Sequence, residues 1–296
     1  MTRDSLAPQA YWDQWIEHSH KRIETMLKKS KEPSGDPRYR PQYFFEIARE
    51  YWQLMFERYS RGDSVSELTQ YFPGLLDAWE ESERLGTEVF SPQQQISRRS
   101  WITNLDKYIL CFWLTGLALA LEIPDEQWQR LTALMGNEGE DVLLDRIIAS
   151  RDHGRAIGTA LCHPKPYARL LDAINALPSD QPRILRQFVE NWYAELDRPT
   201  KKEGVTAIYD RPYWYGFDEL IEGGAYFGFW CVEAVAAVKV FQLDDSLCLG
   251  LPHYPGDLLR GPDTTLQEVD ELADHVTKTN IPPVRRSLLK RLFGRE

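Results

Sequence analysis

From Tyr108 to Leu121 the chain runs for fourteen residues with Thr115 as the one polar member. As a helix rising about 1.5 Å per residue, such a stretch covers roughly 21 Å, well short of a hydrocarbon core of about 30 Å. A run this apolar is therefore expected to be a central core helix with other elements packed around it. The rest of the sequence supplies them. Tyr43, Phe44, Ile47, Tyr51, Leu54, Met55 and Tyr59 recur at three-and-four spacing and describe one apolar helical face that stops at Gly62. Ser64 and Glu67 have the form of a capping box, in which a hydroxyl and a carboxylate reciprocally satisfy orphan N–H groups, and predict a new helix. Ser91, Pro92 and Gln94 repeat the signal ahead of a long segment reaching Leu121.

Further helices are predicted over Asp141–Arg151, Pro166–Leu177, Gln181–Leu196 and Asp218–Leu243. In the last of these, Gly224, Gly228 and Cys231 fall on one stripe where a neighbouring helix can approach closely. Strand-like alternation is scarce. The expected fold is all-α, a multi-helix array of two closely packed helical domains with no significant sheet. Ile123-Pro124 reads as the connection between them, giving domains 1–123 and 124–296.

Ten Trp, fourteen Tyr and twelve Phe make the chain heavily aromatic. Rings of this kind dominate cores and interfaces alike, which leaves a homodimer open. Cys111, Cys162, Cys231 and Cys248 stand far apart and read as buried free thiols in a reducing compartment. Met1–Ala10 has no apolar signal-peptide core, so a soluble, cytoplasmic protein is expected. The charge is uneven. Residues 205–275 hold thirteen of the 45 acids but three of the 35 bases, which leaves 32 of each elsewhere. Residues 276–296 then form a basic tail. Such a segment attracts a basic partner and repels nucleic acid and anionic membrane.

Motifs that carry chemistry are scarce. His18, His20, His153, His163, His253 and His275 have no ligand spacing, so neither a metal nor a cofactor is expected. Gly223, Gly224 and Gly228 have the wrong spacing for a nucleotide fingerprint. Asp244-Asp245 has the look of an aspartate-rich metal motif, but Cys248 stands where a third carboxylate is needed. Glu233 lies in an apolar helical run and must be paired, hydrogen-bonded or protonated if buried.

Several segments in order bring a family into view: Gly139–Ile148 (GEDVLLDRII), Pro164–Ile174 (PKPYARLLDAI), Phe188–Leu196 (FVENWYAEL), Tyr226–Val238 (YFGFWCVEAVAAV), Leu243–Asp245 and Tyr254–Leu259 (YPGDLL). Together they resemble the C-terminal domain of the PoNi family, immunity proteins for PoNe-type DNase toxins that bacteria deliver into competitors. Arg58–Leu68 (RYSRGDSVSEL) and Tyr71–Glu83 (YFPGLLDAWEESE) resemble the domain that usually precedes it. The resemblance covers roughly residues 43–260.

It implies a helical, non-enzymatic protein that holds a cognate secreted DNase inactive, as part of the polymorphic-toxin and type VI secretion repertoire of interbacterial competition. A DNase must present a basic surface to phosphates, and an acidic protein can occupy it. The toxin-facing candidates are Asp218, Glu219, Glu222, Asp244 and Asp245, with Glu138, Glu140 and Asp141. Tyr226, Trp230, Glu233, Tyr254 and Asp257 match family motifs and are expected mostly to hold the fold together. Two other readings stay open: a helical enzyme that uses Glu233 or Asp244 and Asp245 on a small substrate or metal, and an adaptor whose target is not a nuclease.

Overall fold

The structure is a computed structural model that describes residues 2–33, 36–197 and 211–260. Among the described residues there are ten α-helices, four 3-10 turns and no strand. The apolar run forms α5 (Leu105–Ala120), which Asn104 starts by accepting the Lys107 N–H; 14 of its 16 residues are buried. Around it lie α1 (Gln9–Lys29), α2 (Arg40–Arg61), α3 (Phe72–Val89), α4 (Pro92–Arg99) and α6 (Asp125–Met135), then α7 (Val142–Ala149), α8 (Pro164–Asn175), α9 (Gln181–Leu196) and α10 (Val232–Phe241). Helix α2 packs between α1 and α3, α6 lies on α3, α8 pairs with α9, and α5 with α10. Helix α5 lies tightly on α10 at Gly116, where an added Cβ would sit 2.6 Å from Val232 and 3.3 Å from Ala236. One contiguous cluster of buried side chains runs from α1 to the 3-10 turn Gly256–Leu259.

Helix ends follow local chemistry. Gly62 closes α2 in the left-handed region, as expected. Ser91 and Gln94 form both halves of a capping box on α4. The predicted box at Ser64 does not form: the Ser64 side chain caps nothing, Glu67 pairs with Arg58, and Val65–Tyr71 is a 3-10 helix. The segment from Ser91 to Leu121 is two helices, because the chain turns between Ser100 and Asn104 to bury Trp101 against Tyr108. Cys111, Cys231 and Cys248 are buried thiols, while Cys162 is half-buried.

The largest correction concerns Asp218–Leu243. Only Val232–Phe241 is α-helical; Phe217–Gly223 is a 3-10 turn, and the chain between them is irregular. Gly224 and Gly228 have φ of +69° and +91°, backbone that a right-handed helix excludes. Their lack of a side chain serves other contacts, since a Cβ would fall 1.9 Å from the Trp15 ring at Gly224 and 2.0 Å from the Ser60 hydroxyl at Gly228.

Both ends of the described chain meet at a buried ion pair. Arg3, in the coil before α1, donates Nε–H to Asp257 at 2.5 Å and reaches the carbonyls of Tyr59 and Asp63 at 3.0 and 2.6 Å. Tyr59 donates its hydroxyl to the same carboxylate, and its ring lies 4.5 Å beneath the guanidinium. Removing one member of a buried pair leaves the other uncompensated, at a cost of about 3–5 kcal/mol. Arg3→Ala should therefore lower the urea-unfolding free energy by about 3 kcal/mol, whereas Arg183→Ala, which removes an exposed pairing with Asp180, should change it by less than about 1 kcal/mol.

Candidate functional site

The acidic turn Phe217–Gly223 is built on aromatic stacking. The Tyr193 ring of α9 stacks on Tyr215 with centroids 4.5 Å apart and planes 11° from parallel. Gly216, at φ +84°, donates its N–H to the Tyr193 hydroxyl at 2.9 Å. That hydroxyl in turn donates to Asp218 at 2.9 Å. Asp218 thus turns inward, and the exposed acids of the turn are Glu219 and Glu222. Side chains three apart on a 3-10 helix eclipse one another, so these two carboxylates share a face. Among the described residues neither has an ion-pair partner.

Asp244 is exposed and accepts the Ser246 N–H at 2.9 Å. Asp245 is committed internally: it accepts the Tyr254 hydroxyl at 2.5 Å, and Arg260 Nη2 reaches its two oxygens at 2.8 and 2.9 Å. Glu138 and Glu140 are exposed. Asp141, expected at the surface with them, is fully buried, and this corrects that expectation. Its Oδ1 accepts the N–H groups of Leu143 and Leu144 as the cap of α7 and the Tyr108 hydroxyl at 3.0 Å, while Oδ2 accepts Cys162 N–H at 2.7 Å. Beneath it Asp145 pairs with Arg155 at 2.7 Å and accepts the N–H groups of Gly139, Asp141 and Gly158. No hydrogen bond or ion pair among the described residues joins the Glu138–Glu140 loop to the Phe217–Gly223 turn. Of the thirteen acids in 205–275, Asp210, Asp263, Glu268, Asp270, Glu271 and Asp274 lie outside the described residues, as does the basic tail.

The motif residues face inward. The Tyr226 hydroxyl donates to Asp4 at 2.5 Å, the Trp230 indole to Ser60 at 2.9 Å, and Asp257 holds Arg3. Glu233 is fully buried on α10. Its Oε1 accepts the Tyr167 hydroxyl of α8 at 2.9 Å and the Trp192 indole of α9 at 3.2 Å; its Oε2 accepts the Trp113 indole of α5 at 3.2 Å. Burial pushes its carboxyl up to about 7, opposed by those donors. With both oxygens of Glu233 filled, and Asp245 held by Tyr254 and Arg260, neither offers a free carboxylate to a substrate or metal. Among the described residues no group of three or more His, Cys, Asp and Glu is placed to hold a metal, and no helix is long and apolar enough to cross a membrane.

Two sequence models of one family match in tandem: PoNe immunity protein (PoNi), N-terminal, over residues 3–133, and PoNe immunity proteins (PoNi), C-terminal, over residues 139–258. The chain belongs to the PoNi family. A PoNi protein is an immunity protein for a PoNe toxin, and the match begins at residue 3, forty residues before the resemblance read from the sequence. It takes in Arg3 and Trp15, whose partners Asp257 and Gly224 lie in the C-terminal half. The crystal structure of protein PA2201 from Pseudomonas aeruginosa has the same fold, with a TM-score of 0.64 over 93% of this chain and 91% of that one at 18% identity. No curated protein matches the chain.

The raised carboxyl of Glu233 has a consequence for this PoNi protein in solution. A carboxyl that binds its proton more tightly folded than unfolded contributes stability that is fully present below its ordinary value of 4.5 and is lost as pH rises through about 7. Glu57, raised to about 7 by burial, acts in the same direction, so the Glu233 share is read from the difference between wild type and Glu233→Gln. That difference should shift against wild type by about 3 kcal/mol between pH 4.5 and 8 in denaturant unfolding. A difference that stays constant with pH contradicts a Glu233 carboxyl raised by burial.

Proposed function

We propose that the protein neutralises a cognate PoNe DNase by setting exposed carboxylates of its C-terminal half, chiefly Glu219, Glu222 and Asp244, against the basic surface with which the enzyme holds DNA. The observation that carries the reading is the charge balance of residues 205–275, thirteen acids against three bases. Elsewhere many exposed carboxylates are matched by bases, as Glu17 with Lys21, Glu88 with Arg84, Asp77 with Arg130 and Asp125 with Arg151, while Glu24 and Glu32 are exposed without an ion pair among the described residues. Glu219, Glu222 and Asp244 have no such match among the described residues. Unmatched charge projects a field that speeds encounter with a cationic partner and discourages the approach of nucleic acid.

The aromatic support under the turn belongs to the same reading. Tyr193, Tyr215 and the Asp218 hydrogen bond hold the two carboxylates at little further cost in ordering when a partner arrives. Glu138 and Glu140 form a second exposed acidic group of the same half. The protein acts by occupancy, in the cytoplasm of the cell that makes the toxin, and without catalysis.

The test is charge reversal at residues that support no buried contact. Glu219→Lys, Glu222→Lys and Asp244→Lys, combined, should leave thermal unfolding within about 0.5 kcal/mol per site. The triple variant should slow association with the inactivated toxin at low salt by about tenfold or more and flatten the dependence on salt. Cells that express the cognate toxin should be rescued by the wild type and less well by the variant. Unchanged association rate and unchanged salt dependence remove this face from the mechanism.

A further inference from the structure

A cavity of about 220 Å³ opens between α2, α5 and the Tyr213–Trp214 segment, on a part of the molecule that the acidic face does not use. Its wall carries three cations, Arg49, Arg98 and Lys107, against one carboxylate, Asp106; Arg49 pairs with Glu46, and Arg98 lies over the Phe90 ring and donates to Gln95 at 3.2 Å. Lys107 is the unusual member. Its side chain is almost fully buried in the first turn of α5, a place where helix dipole and low dielectric both disfavour an ammonium. Its neighbours are the Trp79 ring, 3.7 Å from Nζ, and the Phe45 ring at 5.8 Å. Among the described residues it has no ion pair; Glu83, whose charge favours the ammonium, pairs with Arg99 at 2.5 Å. Burial lowers its proton affinity, and Arg98 and Arg99 lower it further.

Two donors on the same wall are also without acceptors. The Trp52 indole N–H and the Arg49 Nε–H are buried with no hydrogen-bond partner. Buried donors are rarely left unmet in a native interior, and each costs about 1–3 kcal/mol when they are. The carboxylate at hand, Asp106, is turned to the backbone N–H of Tyr213 at 3.0 Å, and burial raises it to about 6. The wall therefore offers an unpaired cation and orphaned donors together, with an aromatic and aliphatic remainder that includes Leu110 and Trp214. At 220 Å³ the space is below the roughly 300–1,000 Å³ of sites for drug-sized ligands, and suits a body of one ring or a short chain.

We propose that this cavity binds a small apolar monocarboxylate, its carboxylate paired with Lys107 and Arg98 and reached by the Trp52 indole N–H, its hydrocarbon body against Leu110 and Trp214. A carboxylate supplies the two things the wall lacks, a counter-charge and acceptors, and the apolar remainder excludes a purely polar anion. Occupancy also bears on the acidic turn. Tyr213 and Trp214 stand four and three residues before Phe217, whose N–H bonds the Trp214 carbonyl at 3.1 Å, so a ligand wedged against Trp214 steadies the base of that turn.

Nitrogen-15 NMR of the full-length chain reads the site through the indole N–H of Trp52, assigned by its loss in Trp52→Phe. Titration with phenylacetate should move that signal downfield with half-saturation near about 1 mM or below. The indole of Trp128, equally without an acceptor but outside the cavity, should stay in place. Phenylacetamide, which lacks the charge, and acetate, which lacks the body, should each bind at least about tenfold more weakly. Lys107→Met should weaken phenylacetate by at least about tenfold; Arg98→Gln, at a half-buried position on the wall, should weaken it too and serves if the first variant does not fold. Absence of a saturable shift up to about 10 mM, equal binding of the acid and the amide, or wild-type binding by the folded variants overturns the proposal.

Discussion

A carboxylate shut away from water ties four helices together in this protein. Glu233 leaves α10 and receives hydrogen bonds from Trp113 on α5, Tyr167 on α8 and Trp192 on α9. Hydrogen bonds of this kind have narrow geometry, so α5, α8, α9 and α10 are held in one relative placement where packing alone would accept several. The approach of α10 to α5 at Gly116, too tight for any side chain there, depends on that placement. The same helix α5 reaches the Asp141 cap through the Tyr108 hydroxyl, and Asp141 in turn starts α7. An apolar helix thus carries its few polar atoms to two buried carboxylates, and the aromatic residues supply the donors.

From this core the chemistry of the surface follows. Buried acids are spent on architecture: Glu233, Asp141, Asp145 and Asp257 each satisfy donors from distant parts of the chain. Many exposed acids elsewhere are balanced by neighbouring bases, as Glu88 is by Arg84 and Asp77 by Arg130. The exposed acids with no ion pair among the described residues include Glu219 and Glu222 on the turn after Gly216 and Asp244, carried by segments anchored to aromatic residues on α9 and on the flank of α10. A rigid platform with unmatched charge at its edge is what an inhibitor of a cationic enzyme requires, since rigidity limits the entropy lost on docking and charge shortens the search.

The all-helical class was legible because the apolar period is long and repeated, and because Gly62 and the Ser91–Gln94 box are strong local punctuation. Family membership was legible in short ordered segments, and most of those segments prove to be buried carboxylates with their aromatic donors. What misled was identical local chemistry with a different tertiary outcome. Ser64 and Glu67 have the letters of a capping box, yet Arg58 takes the glutamate. Gly224 and Gly228 line up on a helical wheel, yet they are glycines because Trp15 and Ser60 press on the backbone in a left-handed conformation. Asp141 has the spacing of a surface acid beside Glu138 and Glu140, and nothing in a linear reading shows Tyr108 and Cys162 closing over it. The Arg3–Asp257 pair and the buried Lys107 were invisible for the same reason: both are defined by residues far away in the chain.

The central claim is that the protein and DNA compete for one surface of the toxin. Fluorescence anisotropy of a labelled duplex bound to a catalytically inactivated cognate toxin measures this directly. Adding the immunity protein should release the duplex with one-to-one stoichiometry, and raising the duplex concentration should shift the release midpoint in proportion. A stable ternary complex, with the duplex still bound at saturating immunity protein, contradicts the account.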